Sequence, residues 1–312
     1  MTLRVAIIGL GDIAQKAYLP LLTSWEGVEP LFCTRRQDVL ESLQAQYRLA
    51  RGTTDLDILL GWQPHAAFVL ASTPAHYGLA HKLLSAGVDV YLEKPAASTS
   101  QEARLLAEQA DSAGRILMVG FNRRYAPLHR MARRLWGERP TGIAVLQKHR
   151  SSGFHPNLQQ HYTEELVHVV DILRYFCGEG RAVRTGQQVV AGKFSGAAAT
   201  VALESGGYAA ILSSMRAGHW KEQYALHGDG ASLYVDAFSR VVLMEGGEQQ
   251  VWEETYASSW RTTLKGRGFH DQITHFLDCV QTRSQPETTA WEAMKTQQLV
   301  EDLLRLSEGY NM

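Results

Sequence analysis

Residues 3–14 read Leu-Arg-Val-Ala-Ile-Ile-Gly-Leu-Gly-Asp-Ile-Ala. An apolar run of strand character stops at Gly9. The pattern G-x-G-x-x-A comes next, and a helical pattern continues to residue 25. The first glycine of such a turn permits the tight reversal, and the second, Gly11, lets a pyrophosphate approach the backbone. The small Ala14 lets helix and strand pack closely. The N–H groups that open the helix, at Asp12 and Ile13, offer a positive dipole end to phosphates. An ordinary tight strand-to-helix turn is the alternative, and the pattern of the next hundred residues weighs against it.

Working outward, residues 28–34, 65–72, 88–93 and 115–121 are further short apolar runs. Helical patterns lie between them, and two of these close on Gly87 and Gly114 as C-terminal signals. Alternating strands and helices with near-continuous apolar strands predict a parallel sheet covered on both faces. Past Phe121 the pattern changes. Eight strand-like runs lie between residues 142 and 254, separated in places by the glycine-rich turns ESGGY, HGDGA and EGGEQ. Those turns are hairpin signals. Helices are expected near 163–177, 269–283 and 290–308. The expected fold is a Rossmann nucleotide-binding α/β domain over residues 1–121. An α+β substrate and oligomerisation domain with a largely antiparallel open sheet is expected over 122–312.

The bulk composition sets limits. The chain has 312 residues, 45% hydrophobic and 20% charged, with a net charge of -1. This is ordinary globular composition without the basic field that nucleic acid binding requires. The three cysteines lie far apart with no CxxC spacing, which points to reduced thiols and a cytoplasmic protein. No apolar run approaches a membrane span.

The end of the second strand distinguishes NAD from NADP. In place of an acidic residue that would bind a ribose 2′-hydroxyl, the chain has Thr34-Arg35-Arg36, with no carboxylate until Asp38. A hydroxyl and two guanidiniums suit a 2′-phosphate. The expected cofactor is NADP(H), with NAD as the alternative; a solvated basic loop would use the same residues.

Residues 90–98, VYLEKPAAS, end a strand with Glu93, Lys94 and Pro95. Ligands of open α/β sheets sit outside the carboxyl ends of strands, so Lys94 is expected where a nicotinamide would lie. A partly desolvated lysine there could bind a substrate hydroxyl or help remove its proton. A surface lysine in a turn is the plainer reading.

Together GLGDIA, STPAH (72–76), AGVDVYLEKPAAS and VGFNRRYAP (119–127) resemble the Gfo/Idh/MocA oxidoreductase family. QKHRSS and ELVHVVD extend the likeness to its MviM-like branch. The resemblance implies NAD- or NADP-dependent oxidation or reduction of sugars, polyols and related compounds, with Lys94 catalytic or substrate-binding. It implies cofactor contacts from Ser72, Thr73, His76, Glu93 and Lys94, although the proline of STPAH stands one position from its usual place. It also implies a homodimer or homotetramer built through the C-terminal sheet. Some relatives are regulatory proteins that sense cofactor and bind a partner. That is the alternative reading, and a hydro-lyase or glycosidase using NAD transiently is a third.

A second constellation lies in YTEELVHVVDILRYFCG. On an α-helix Glu164, His168, Asp171 and Tyr175 share one face. His168 is expected as proton relay. Glu164 stands where the family has aspartate and is the candidate carboxylate beside it. For Glu164 the competing reading is a dipole-favouring acid in a first turn capped by Thr163. Arg123, where the two halves meet in sequence, and Lys148, near the end of a strand, are candidate substrate contacts. For them a solvated turn and an edge-strand charge pair are the alternatives. His149, His155, His161 and His168 crowd together without H-E-x-x-H or a cysteine pair, so no metal site is expected. The loop SSGFHPNLQQHY is read as a lid or oligomer contact.

Overall fold

The structure, a computed structural model, describes residues 2–151, 153–154, 156–254 and 262–308. His155 lies outside them. Six parallel strands form the first sheet: β1 (Leu3–Ile8), β2 (Val28–Cys33), β3 (Gly52–Thr53), β4 (Ala66–Val69), β5 (Asp89–Glu93) and β6 (Leu117–Gly120). Their order is β3-β2-β1-β4-β5-β6, so the strand order reverses between β1 and β4. The central strands are buried on both faces, as their unbroken apolar runs require. β3, two residues long, has no counterpart in the sequence reading, because it is too short to show periodicity.

Eight strands form the second sheet: β7 (Ile143–His149), β8 (Gly180–Val190), β9 (Lys193–Leu203), β10 (Tyr208–Ser214), β11 (Lys221–Gly228), β12 (Ala231–Asp236), β13 (Arg240–Glu245) and β14 (Glu248–Glu253). The order is β14-β13-β12-β11-β7-β10-β9-β8, and all pairs are antiparallel except β7–β10. Two of the expected hairpins close on paired positive-φ residues, Asp229-Gly230 and Gly246-Gly247. That geometry matches the right-handed twist of the flanking strands. Alternate residues are buried along the central strands: Ala144, Leu146 and Lys148 on β7, then Glu222, Tyr224 and Leu226 on β11.

The chain divides into two compact units. One comprises Met1–Phe121 with Phe269–Met294, and the other Asn122–Gly268 with Lys295–Met312. The expectation that 122–312 forms one continuous domain is therefore corrected for residues 269–294. The helix Phe269–Thr282 buries Ile273, Phe276, Leu277 and Val280, an i, i+3, i+4, i+7 stripe. Its partners are the aromatic rings of the first unit. Phe276 stands 5.2 Å from Phe68 and 5.6 Å from Tyr91, between ring centroids. The chain then runs along the outer edge of β6. Val119 donates its N–H to the Thr288 carbonyl (2.8 Å), and Thr288 Oγ1 donates to the Val119 carbonyl (2.7 Å). This covers an edge that would otherwise offer unpaired backbone groups.

No helix among the described residues is long and apolar enough to cross a membrane.

Phe276→Ala leaves a cavity against Phe68 and Tyr91 and should cost about 3–5 kcal/mol. Urea denaturation of the variant measures this. A loss below about 1 kcal/mol would mean that residues 269–294 do not complete the first core.

Candidate active site

The glycine turn occupies the carboxyl edge of the first sheet at the point where strand order reverses. Gly9 has φ +89°, and a Cβ there would lie 2.6 Å from the Ala71 nitrogen at the end of β4. Only glycine lets the two strand ends approach this closely. A Cβ on Gly11 would meet nothing within 4 Å, so open space lies above the second glycine. Gly11, Asp12 and Ile13 are exposed at the helix N-terminus, while Ala14 is buried against the sheet. The helix continues with a π-turn over Ala14–Tyr18. Thr34 is half-buried, and Arg35 and Arg36 are exposed. Arg36 is engaged by Asp38, with Nη2 donating at 2.5 Å. The open second glycine, the exposed helix start and the basic strand end fit a dinucleotide.

β5 ends in a buried polar cluster. The Tyr18 hydroxyl donates to the Glu93 carboxylate, and the Lys94 backbone N–H donates to its other oxygen (3.0 Å). The Tyr91 hydroxyl lies 2.8 Å from that of Tyr18, and Gln272 Nε2 donates to Tyr18 as well (3.2 Å). Burial first, then the Glu93 charge, pushes the Tyr18 phenol well above its ordinary pKa. Gly120 is needed beside this cluster, because a Cβ there would lie 2.3 Å from the Tyr91 hydroxyl.

Lys94 is half-buried, and its peptide bond to Pro95 is cis. His76 braces the same turn. Its Nδ1 faces the Pro95 carbonyl (2.8 Å) and its Nε2 the Ala71 carbonyl (2.9 Å). Burial lowers its pKa against the pull of those carbonyls. His76 and Glu93 are buried, bonded to the protein's own groups, and hold the lysine turn. Ser72 precedes the short 3-10 turn Thr73–Ala75 that leads into His76, and neither Ser72 nor Thr73 is buried. Tyr18, Tyr91 and Gln272 were missed in the sequence, since nothing local marks a tyrosine as a buried carboxylate's partner.

In the second unit the helix that carries His168 starts earlier than expected. Asn157 caps it, its side chain accepting from the Gln160 N–H (2.8 Å), and a π-turn spans Tyr162–Leu166. Thr163 is therefore no N-cap; its hydroxyl donates to the Gln159 carbonyl. Part of the segment read as a loop, Leu158–His161, is helical. The wider π-turn breaks the even advance that an α-helical reading assumes. It gives the two adjacent acids different surroundings. Glu164 is exposed and accepts from Gln160 Nε2 (2.8 Å). Glu165 turns inward, accepting from Lys148 Nζ and Arg150 Nε at 2.8 Å each. His168 is half-buried.

Lys148 lies on a central strand, which corrects its reading as an edge-strand charge. Its side chain is 3% exposed, and Nζ also donates to the Glu165 carbonyl (2.9 Å). Burial, then the charge of Arg123, pushes the ammonium down to about 8, against Glu222 and Glu165. Burial opposes the Glu165 carboxylate, but Lys148 and Arg150 outweigh it and hold it at about 2.

Arg123 is buried, which excludes the solvated-turn reading. Its guanidinium grips Glu222 through Nε (2.5 Å) and Nη2 (2.8 Å), and Tyr224 donates to the same carboxylate. Arg124 grips buried Asp171 through Nε (2.9 Å) and Nη2 (2.7 Å), with Thr296 Oγ1 as a further donor. Asp171 thus belongs to the ionic core.

The other histidines have separate duties. His161 is buried with Nε2 2.8 Å from Ser213 Oγ, and His149 Nδ1 accepts from the Ser214 N–H. Among the described residues no group of three or more His, Cys, Asp or Glu could hold a metal.

Glu165 offers a test of this ionic core. Its folded pKa lies below the ordinary 4.5, so its pairing stabilises the fold above pH 4.5 and is lost as pH falls toward about 2. Glu165→Gln should remove that part of the acid dependence. It also leaves Lys148 buried without its partner, which costs about 3 kcal/mol at neutral pH. Urea midpoints across the acid range check both effects; a variant whose acid limb parallels the wild type contradicts the assignment.

Known proteins are similar to this chain in sequence and fold. The family model for the Gfo/Idh/MocA oxidoreductase family, NAD-binding Rossmann fold, matches residues 3–121. YceM of Salmonella typhimurium, a putative oxidoreductase by name, is 34% identical over 97% of this chain and 98% of its own length. D-Glucoside 3-dehydrogenase of Escherichia coli is 32% identical over 40% of this chain and 36% of that protein. The crystal structure of a dehydrogenase, MviM, from Clostridium difficile superposes with a TM-score of 0.88. It is 25% identical and covers 98% of this chain and 99% of that one. A parallel sheet opened by a glycine turn, a lysine turn at the same carboxyl edge and a relative matched from end to end lead to one conclusion: the chain belongs to the Gfo/Idh/MocA oxidoreductase family.

Proposed function

We propose that this oxidoreductase uses NADP(H) to interconvert a carbinol and a carbonyl on a sugar, polyol or related polyhydroxylated compound. One observation carries the reading. The glycine turn and Lys94 lie at the carboxyl edge of the same sheet, with β4 linking β1 and β5 in register. Ligands of such sheets collect at that edge. The D-glucoside relative supports the substrate class.

The backbone at Gly9, Gly11, Asp12, Ile13 and Ala14 would hold the pyrophosphate, with Ser72 and Thr73 beside it. Thr34 and Arg35 would receive a 2′-phosphate, while the charge of Arg36 beside them is offset by Asp38. A bound nicotinamide supplies hydride transfer. Lys94 holds the substrate oxygen and lowers the cost of alkoxide character on it. His168 takes or returns the hydroxyl proton, and the exposed carboxylate of Glu164 supports the charge that His168 gains. Lys148 and Arg123 act from beneath, through Glu165 and Glu222, in place of touching substrate.

The second sheet supports a homodimer or homotetramer. Met244, Ser232, His227, Ile143 and Tyr208 form one cross-strand row on its less buried face. Met244, Ile143 and Tyr208 are exposed large apolar residues. A row of this kind fits a second copy of the chain. Three free cysteines, two of them buried, support a cytoplasmic setting.

Two measurements test the proposal. In a screen of sugars and polyols with NADP, Lys94→Ala and His168→Ala should each reduce kcat at least about hundredfold, the contribution expected of positioned acid–base groups. Losses under about tenfold in both would remove the assignment. Ile143→Arg should shift the sedimentation coefficient to that of a monomer while cofactor binding persists; an unchanged coefficient would exclude this face as the interface.

A further inference from the structure

The first sheet has a second open edge, opposite the cofactor edge, and a cleft of about 670 Å³ lies there. The N-terminal ends of β1 and β5 and the residues leading into β4 and β6 border it. β1 is six residues long, so at ~3.3 Å per residue this cleft stands roughly 20 Å from the glycine turn. Three arginines line it: Arg4, Arg115 and Arg283, together with His65 and Asp89. Apolar residues, among them Leu60, Pro64, Val88 and Val280, form the rest of the wall.

The guanidiniums carry more donors than the protein accepts from them. Each has five N–H groups. Arg4 gives Nε and Nη2 to the Gln63 carbonyl (2.9 and 2.7 Å). Arg283 donates to Asp89 and to the Gly114 carbonyl. The guanidinium of Arg115 makes no hydrogen bond or ion pair among the described residues, and its Nε is buried without an acceptor. A buried charged donor without an acceptor is costly unless something fills the place. The one carboxylate in the cleft is already spent: Asp89 accepts from Arg283 and, at 2.9 Å, from the Ile116 N–H. His65 Nδ1 accepts from the Arg4 N–H (2.9 Å), which leaves its proton on Nε2 as a further donor. The cleft therefore presents an excess of about two positive charges and a set of donors, beside an apolar wall.

We propose that this cleft is a binding site for a small organic phosphate monoester, separate from the cofactor site. A phosphate dianion matches the excess charge, and its oxygens suit planar guanidinium forks. The volume exceeds that of inorganic phosphate and falls in the range of small-ligand pockets. The apolar wall receives the organic body.

Calorimetric titration of the full chain with phenyl phosphate and with inorganic phosphate tests this. Phenyl phosphate should bind saturably, and more tightly than inorganic phosphate. Arg115→Gln should weaken it at least tenfold while NADPH affinity stays within twofold of wild type. Arg4→Gln, which leaves Arg115 in place, should weaken it as well, so the outcome does not hang on one variant's folding; melting curves accompany both. Absence of saturable binding, equal affinity for phenyl and inorganic phosphate, equal affinity in Arg115→Gln, or displacement by NADPH would each overturn the proposal.

Discussion

A buried carboxylate organises the first unit. Glu93 ends β5 almost without solvent, and a charge taken out of water is tolerated only when hydrogen bonds replace its hydration. Tyr18 supplies one of those bonds, and Tyr18 lies on the helix that the glycine turn opens. Gln272, on the helix that returns to this unit late in the chain, binds the same hydroxyl. One polar cluster thereby connects the helix that would hold a pyrophosphate to the strand end that presents Lys94. His76 braces the lysine turn from the other side through Pro95 and Ala71. Lys94 sits between two sets of fixed bonds, the kind of support that positioning a side chain to within about 1 Å requires.

The second unit obeys the same rule with full ion pairs. Glu222 sits between Arg123 and Tyr224, Asp171 between Arg124 and Thr296, and Glu165 between Lys148 and Arg150. Two-point arginine forks supply geometry as well as charge. Removing one partner of such a pair costs far more than the intact pair contributes, because a charge is left buried. Asp171 and Glu165 lie on the helical segment that carries His168 and tie it to Arg124, Lys148 and Arg150, while the neighbouring acids Glu164 and Glu165 differ, one exposed and one turned inward.

Much of this was legible in the residues. Continuous apolar runs predicted five of the six parallel strands, strand-like runs and glycine turns predicted the eight strands of the second sheet, and GLGDIA and EKP marked the edge where ligands collect. What escaped was mostly non-local. Arg123 and Glu222 lie 99 residues apart, and Tyr18 and Gln272 lie 254 apart. No window-based pattern joins them. The stripe on Phe269–Thr282 announced a helix but not which core it fills. The π-turn escaped for a different reason: its residues read as ordinary helix, and one added residue in a turn leaves no compositional trace.

A nicotinamide dinucleotide bound at the carboxyl edge of the first sheet is the requirement on which the proposed chemistry stands. Titration of the purified protein with NADPH and with NADH, monitored by reduced-nicotinamide fluorescence, tests this most directly. Saturable binding of one cofactor per chain, tighter for NADPH than for NADH and abolished by Gly11→Val, is the predicted result. Failure to bind either cofactor would contradict it.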